Sequence, residues 1–153
     1  MTDAQLAEPD PHPAPVTLEH VLGLPDLAAG EPEVVCGRDR LGTPVRWVHI
    51  IDTEHTGPLL EGGELVLTTG AVFRHSHAQA RRFFDEIEQA GAAAVVIELV
   101  GAEGEFDTEA RHRVGAAVAG RGMPVIVLHR QVRFVRVTQA AHRALIGEQV
   151  ARL

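Results

Sequence analysis

Three short apolar runs, Glu64–Thr69, Ala93–Val100 and Val125–Leu128, are separated by two stretches with helical spacing, and this alternation restricts the fold more than any other feature of the chain. A strand covered on both faces reads as a continuous aliphatic run, and the Val95-Val96-Ile97 segment has that form. Between the first two runs Ser76 can cap a helix whose apolar face carries Ala80, Phe83, Phe84 and Ile87, with Gly91 placed to end it. Between the second and third, Asp107 or Thr108 opens a helix with Ala110, Val114, Ala117 and Val118 inward and Gly122 after its end. Strand, helix, strand, helix, strand is the order of βαβ units. The expectation is an α/β fold: one three-layer-like domain with a mostly parallel sheet flanked by helices and right-handed crossovers.

The flanks of this pattern are less regular. Glu33–Cys36 and Val45–Ile51 are β-prone runs bounded by Gly37 and by the Gly42–Pro44 turn. Upstream, Thr17 can cap a short helix bearing Leu18, Val21 and Leu22 that stops near Gly23 and Pro25. Residues 1–15 include the alternating prolines of EPDPHPAP, which delete backbone donors and bias their neighbours to extended backbone, so this stretch is expected to be a disordered leader. From Phe134 onward Val135, Thr138, His142, Leu145, Ile146, Gln149 and Leu153 lie along one side of a final helix, either docked or the start of a connector. The folded domain is therefore expected over residues 16–153.

The chain has 153 residues, one domain's worth, and Cys36 is its only cysteine, so neither an internal disulfide nor a cysteine-rich zinc site can form. A reducing cytoplasm fits. No secretory signal and no membrane-spanning run is present, so no membrane partner is expected. The formal net charge of -7 opposes direct clamping of nucleic acid phosphates by this chain.

Catalytic motifs are missing: there is no P-loop, no G-x-S-x-G and no H-E-x-x-H. Asp52 with Glu64 could do acid–base work only if their separation allowed it. His75 and His77, with His49 and His55 as possible neighbours in space, are read as solvated histidines over a metal site, and no metal or cofactor is expected. Cys36 is read as a small buried hydrophobe, and Trp47 as a core or interface anchor. The densest group of polar candidates follows the strands: Asp52, Glu64, Thr68, Thr69, Gly70 and His75. Open α/β sheets bind ligands beyond the carboxyl ends of their strands, and free N–H groups of the helix starting at Ser76 suit an anion or carbonyl. A small-molecule pocket is one reading of these residues. The other is that Glu64 satisfies donors of the Gly62–Gly63 turn while Thr68, Thr69 and Gly70 serve as turn chemistry.

Residues Val45 to Gly70, VRWVHIIDTEHTGPLLEGGELVLTTG, resemble the signature of the PucR amino-terminal domain family, regulators of purine catabolism. Trp47, His49, Gly62, Gly63, Glu64, Leu65, Thr68, Thr69 and Gly70 fit its pattern, while Asp52 stands where a glutamate is usual and His55-Thr56 where Asp-Pro is usual. GAAAVVIE from Gly91 and the segment from Met123 to Ile146 fit its later strands and last helix, so the likeness runs from about Thr17 to Ile146. The resemblance implies a non-enzymatic regulatory domain that takes a small, purine-derived or other nitrogenous effector. It further implies self-association as a homodimer or larger oligomer, and contact with DNA only through a separate carboxyl-terminal helix-turn-helix domain. A ligand-free oligomerisation domain and, further off, a small metal-dependent or acid–base enzyme are the alternatives. A fainter likeness to the amino-terminal domain of the Mur ligases bears on the fold alone.

Overall fold

The computed structural model describes residues 15–52, 59–73 and 76–151; all of the proline-rich leader but Pro15, and also His55 and His75, lie outside the described residues. Along the chain run α1 (Leu18–Leu22), α2 (Pro25–Ala28), β1 (Pro32–Cys36), β2 (Trp47–Ile50), β3 (Glu64–Thr69), α3 (His77–Gln89), β4 (Ala94–Glu98), α4 (Thr108–Val118), β5 (Val125–Leu128) and α5 (Phe134–Ala151). Short 3-10 turns cover Arg38–Arg40 and Gly70–Phe73.

The local signals act as expected at both central helices. The Ser76 hydroxyl accepts from the Gln79 N–H at 3.1 Å, and the Asp107 carboxylate accepts from the Ala110 N–H at 2.9 Å, so each satisfies one of the first-turn donors that a helix leaves unpaired. Thr17 does the same for His20 at α1. The four-residue α2 goes beyond the expected single short helix: Pro25 occupies its first turn, where a missing N–H costs nothing.

The five strands form one sheet in the order β1-β5-β4-β3-β2. β2, β3, β4 and β5 are parallel neighbours, whereas β1 pairs antiparallel with β5. Strand alternation divides the core in two. Val66, Val95, Ile97, Val125 and Val127 face α3 and α4, where Phe73, Phe83 and Phe84 fill the space; Leu65, Leu67, Val96, Ile126 and Leu128 face α1, α2 and α5. The result is the expected α/β sandwich of three layers. Because β1 and β2 occupy opposite edges, residues 37–46 must cross from one side of the sheet to the other. They pass the start of β5, where Gly37 adopts φ +77 against Pro124, and then pair with the chain start through Leu18 N–H to Thr43 O and Val45 N–H to Val16 O, both 2.9 Å.

Candidate functional site

The strand register separates the polar residues that the sequence groups together. Trp47 lies beside Glu64 and Ile50 beside Leu67, so Glu64 starts β3 while Asp52 follows the far end of β2. Thr68 and Thr69 are also at that far end, and five residues at strand rise put Thr69 about 16 Å from Glu64. Asp52 and Glu64 therefore cannot act as an acid–base pair on one substrate atom. Thr68 points with Val66 to the α3 side and Thr69 with Leu65 to the opposite side.

At the carboxyl ends of the strands the space is small. A crevice of about 60 Å³ is lined by Thr69, Gly70, Glu98, Leu99 and Asp107, far below the size of a metabolite pocket. Its polar groups have structural partners. The Thr69 hydroxyl faces the Ala71 N–H at 3.4 Å, Glu98 accepts from the Val132 N–H at 2.9 Å, and Asp107 caps α4. A Cβ on Gly70 would stand 3.0 Å from a Leu99 methyl, so this glycine admits a neighbouring side chain. Thr68 is fully buried and its hydroxyl oxygen has no hydrogen-bond partner. His77 begins α3, and among the described residues no group of three or more His, Cys, Asp or Glu could hold a metal ion.

A larger cleft opens at the other end of β3. About 780 Å³ is bounded by Arg46, Trp47 and His49 of β2 and its lead-in, by Leu59, Glu61, Gly62 and Glu64, and by Leu145 of α5. The turn beneath it is stapled by Glu64, whose two carboxylate oxygens accept the Glu61 N–H at 2.6 Å and the Gly62 N–H at 2.8 Å. That is the turn-satisfying role, and it explains how a carboxylate only 6% exposed is tolerated at a strand entrance. Gly62 and Gly63 both hold positive φ, and the aliphatic part of Arg46 lies across Gly63 so closely that a Cβ there would stand 2.7 Å from it. The Arg46 guanidinium donates to Gly62 O at 3.2 Å. Trp47 is 41% exposed and stacks on His142 of α5 with ring centroids 4.0 Å apart, an anchor between strand and helix. The cleft thus gathers an aromatic face, a guanidinium, two carboxylates and an imidazole, and α5 supplies one wall.

A second polar cluster, spread over distant parts of the sequence, locks β1. Arg111 of α4 donates to both oxygens of Glu33, at 3.1 and 2.8 Å, and His129 contacts the same carboxylate at 2.8 Å while stacking on Phe106. The hydrogen bonds from Arg111 and His129 hold the Glu33 carboxyl down to about 2 from an ordinary 4.5. Cys36 donates to Met123 O at 3.2 Å, and burial pushes its thiol up, which suits an unreactive packing role.

With this geometry in place, the family model for the purine catabolism regulatory protein-like family matches residues 20–145. The chain belongs to that family. The match takes in every strand of the sheet and most of the lining of the larger cleft, and it makes this a domain of a regulatory-protein family. No curated protein and no solved structure matches the chain, and the Mur ligase likeness rests on sequence alone. No helix among the described residues is long and apolar enough to cross a membrane.

Sequence reasoning placed Glu64 in the site but left out its neighbours Arg46 and Glu61. The signal was present. Trp47, His49, Gly62 and Glu64 belong to the motif that carries the resemblance, and all four line the one cleft. The Glu33–Arg111–His129 cluster left no such trace, because its members lie 78 and 96 residues apart in the chain.

Proposed function

We infer that this chain is the sensory and regulatory domain of a cytoplasmic transcription regulator, that it binds a small nitrogenous effector in the cleft beside β2, and that it works as a self-associated unit. The observation that carries this is the shared wall. Leu145 lines the cleft and His142 stacks on Trp47, so anything that changes the cleft acts directly on α5. Effector binding changes the output only through unequal affinity for two states, and a strand–helix contact at a cavity wall is an element that can hold two arrangements. Glu61 supplies an acceptor for ring or amide N–H donors beside the turn-bound Glu64, Arg46 a donor for a carbonyl, and Trp47 an apolar face, which suits a purine-derived or related heterocycle. DNA contact falls to a separate carboxyl-terminal domain of the family's helix-turn-helix type, consistent with the net charge of -7 on this chain.

Thermal-shift screening against purine-derived and other nitrogenous metabolites tests the reading. A cognate compound at one hundred times its Kd should stabilise the fold by about 2.7 kcal/mol. Glu61→Gln should weaken that effect, while Thr69→Val, at the far end of the strand, should leave it intact. A screen without any stabilising compound, or an effect abolished by Thr69→Val and untouched by Glu61→Gln, would remove the cleft from consideration.

A further inference from the structure

The end of the sheet where β4 and β5 finish carries charges of both signs, sorted into two neighbouring patches. Residues 130–153 hold five of the chain's 14 basic residues and one of its 21 acidic ones. Helices α1, α2 and α4 have an acid in the first turn, where the helix dipole favours negative charge. α5 has none there and carries Arg136 instead, with Arg133 just before it. Both arginines are exposed, and among the described residues neither has a side-chain partner, whereas Arg130 is tied to Glu31. Between them stands Val135, 61% exposed, more than any other large hydrophobic among the described residues. The second patch is the connection from β4 to α4, which carries Glu103, Glu105, Asp107 and Glu109 and is closed on itself by the Val100–Phe106 bridge. Asp107 caps α4 and Glu105 lies over Gly101. That leaves Glu103 at the tip, and Glu109, 84% exposed and 4.0 Å from Arg113, to project. The two patches are joined underneath, where Phe106 stacks on His129 and Glu98 accepts from the Val132 N–H.

We propose that this end of the sheet docks against the same end of a second copy of this chain, with Arg133, Val135 and Arg136 of each seated on the Glu103 and Glu109 arm of the other. This rests on the reading above that the domain self-associates, and it names the surface. Charge selects the occupant. A two-fold axis lying in the plane of contact, between the patches, lays the basic patch of one copy on the acidic patch of the other, and the exchange is made twice. Pairing α5 with α5 would instead set exposed Arg136 and Arg143 against the same arginines of the other copy. An acidic partner also brings to the first turn of α5 the negative charge that its own sequence omits. Val135 supplies an apolar centre, facing exposed Ala102 of the other arm, inside a charged rim. A single exposed ion pair contributes little, but here each is made twice, so reversing one charge turns two attractions into two repulsions.

The experiment is sedimentation equilibrium on the whole chain, wild type and variants, with circular dichroism melts at the lowest concentration to follow folding. Wild type should be a dimer whose dissociation constant rises with added salt. Arg136→Glu and, separately, Glu103→Arg should each raise that constant about tenfold or more. Neither should lower the melting point of the monomer, since Arg136→Glu places a favourable charge at the start of α5 and Glu103 stands at an exposed tip. The decisive sample is an equimolar mixture of the two variants. Each alone sets like charges together at both contacts, whereas a mixed dimer has opposite charges at both, so mixing should restore association close to wild type. No effect confined to one chain can be rescued in that way. A dimer indifferent to both reversals, or a mixture as weak as its components, would overturn this surface and leave self-association standing. A monomer at every concentration would overturn both.

Discussion

The edge formed by β1 and the edge formed by β2 differ in how the same problem is handled. Any edge strand exposes unpaired N–H and C=O groups, and β1 meets this with a proline, a register irregularity and a carboxylate held by Arg111 and His129. Its five residues are all half-buried. β2 has its one buried residue, Val48, in the core, and presents an indole and an isoleucine outward. The cleft, the family-like motif and the contact with α5 all sit at this second edge. The β1 edge is locked by side-chain contacts and the β2 edge carries the cleft, so changes on the β1 side should register as stability and changes on the β2 side as ligand binding.

The largest effect is expected where the chain leaves β1. Gly37 holds φ +77, and a Cβ there would lie 2.5 Å from the Pro124 backbone, which has no side-chain freedom to yield. Gly37→Ala should cost about 2–4 kcal/mol in urea unfolding, combining conformational strain with a forced backbone shift. Next is the clamp itself. Glu33→Gln should cost about 1–2 kcal/mol at neutral pH, reduced from the usual worth of charged hydrogen bonds because the carboxylate keeps about a third of its surface in water. The pH dependence has a fixed sign. A carboxyl lowered from 4.5 to about 2 contributes stability that is complete above 4.5 and disappears as the pH falls through about 2. The gap between wild type and Glu33→Gln should therefore close across that acid window, and a gap that stayed constant would show that the clamp is not electrostatic.

On the β2 side the effects on folding shrink. Trp47→Ala removes a ring stack and should cost about 0.5–1.5 kcal/mol beyond the loss of buried surface, measured as a lowered melting point. Ile50→Lys should change stability by less than about 0.5 kcal/mol in urea unfolding, since its side chain is already exposed. If Ile50→Lys proved as damaging to the isolated fold as Glu33→Gln, the contrast between the two edges would fail.

The central part of this architecture was legible from residues because its signals are local. β3, α3, β4, α4 and β5 announce themselves through aliphatic runs, helical periodicity and the caps Ser76 and Asp107, none of which depends on a distant partner. The direction of β1 was not legible, since a four- to five-residue β-prone run carries no mark of whether its neighbour runs parallel or antiparallel. α2 is too short to show a period. The candidate site was legible in its motif and not in its geometry. Glu64, Thr68 and Thr69 are close in sequence, but an extended chain carries them to opposite ends and opposite faces of the sheet, and only the register with β2 shows which of them meets Trp47.

The pairing of β1 with β5 has a consequence for biosynthesis. Glu33 sits beside Val127, so the first strand to leave the ribosome has no partner until almost the whole domain has been made. At ordinary translation speeds, roughly 90 residues take about 5–20 s, a long interval beside the rates at which helices and local strand pairs form. During it Val34, Val35 and Cys36 must wait uncovered while the chain between β2 and β4 is already able to collapse. The domain is thus closed last by what was made first, and a chain that stalls before Val125 leaves behind an orphan strand, the form most readily recognised by a chaperone or captured by another nascent chain.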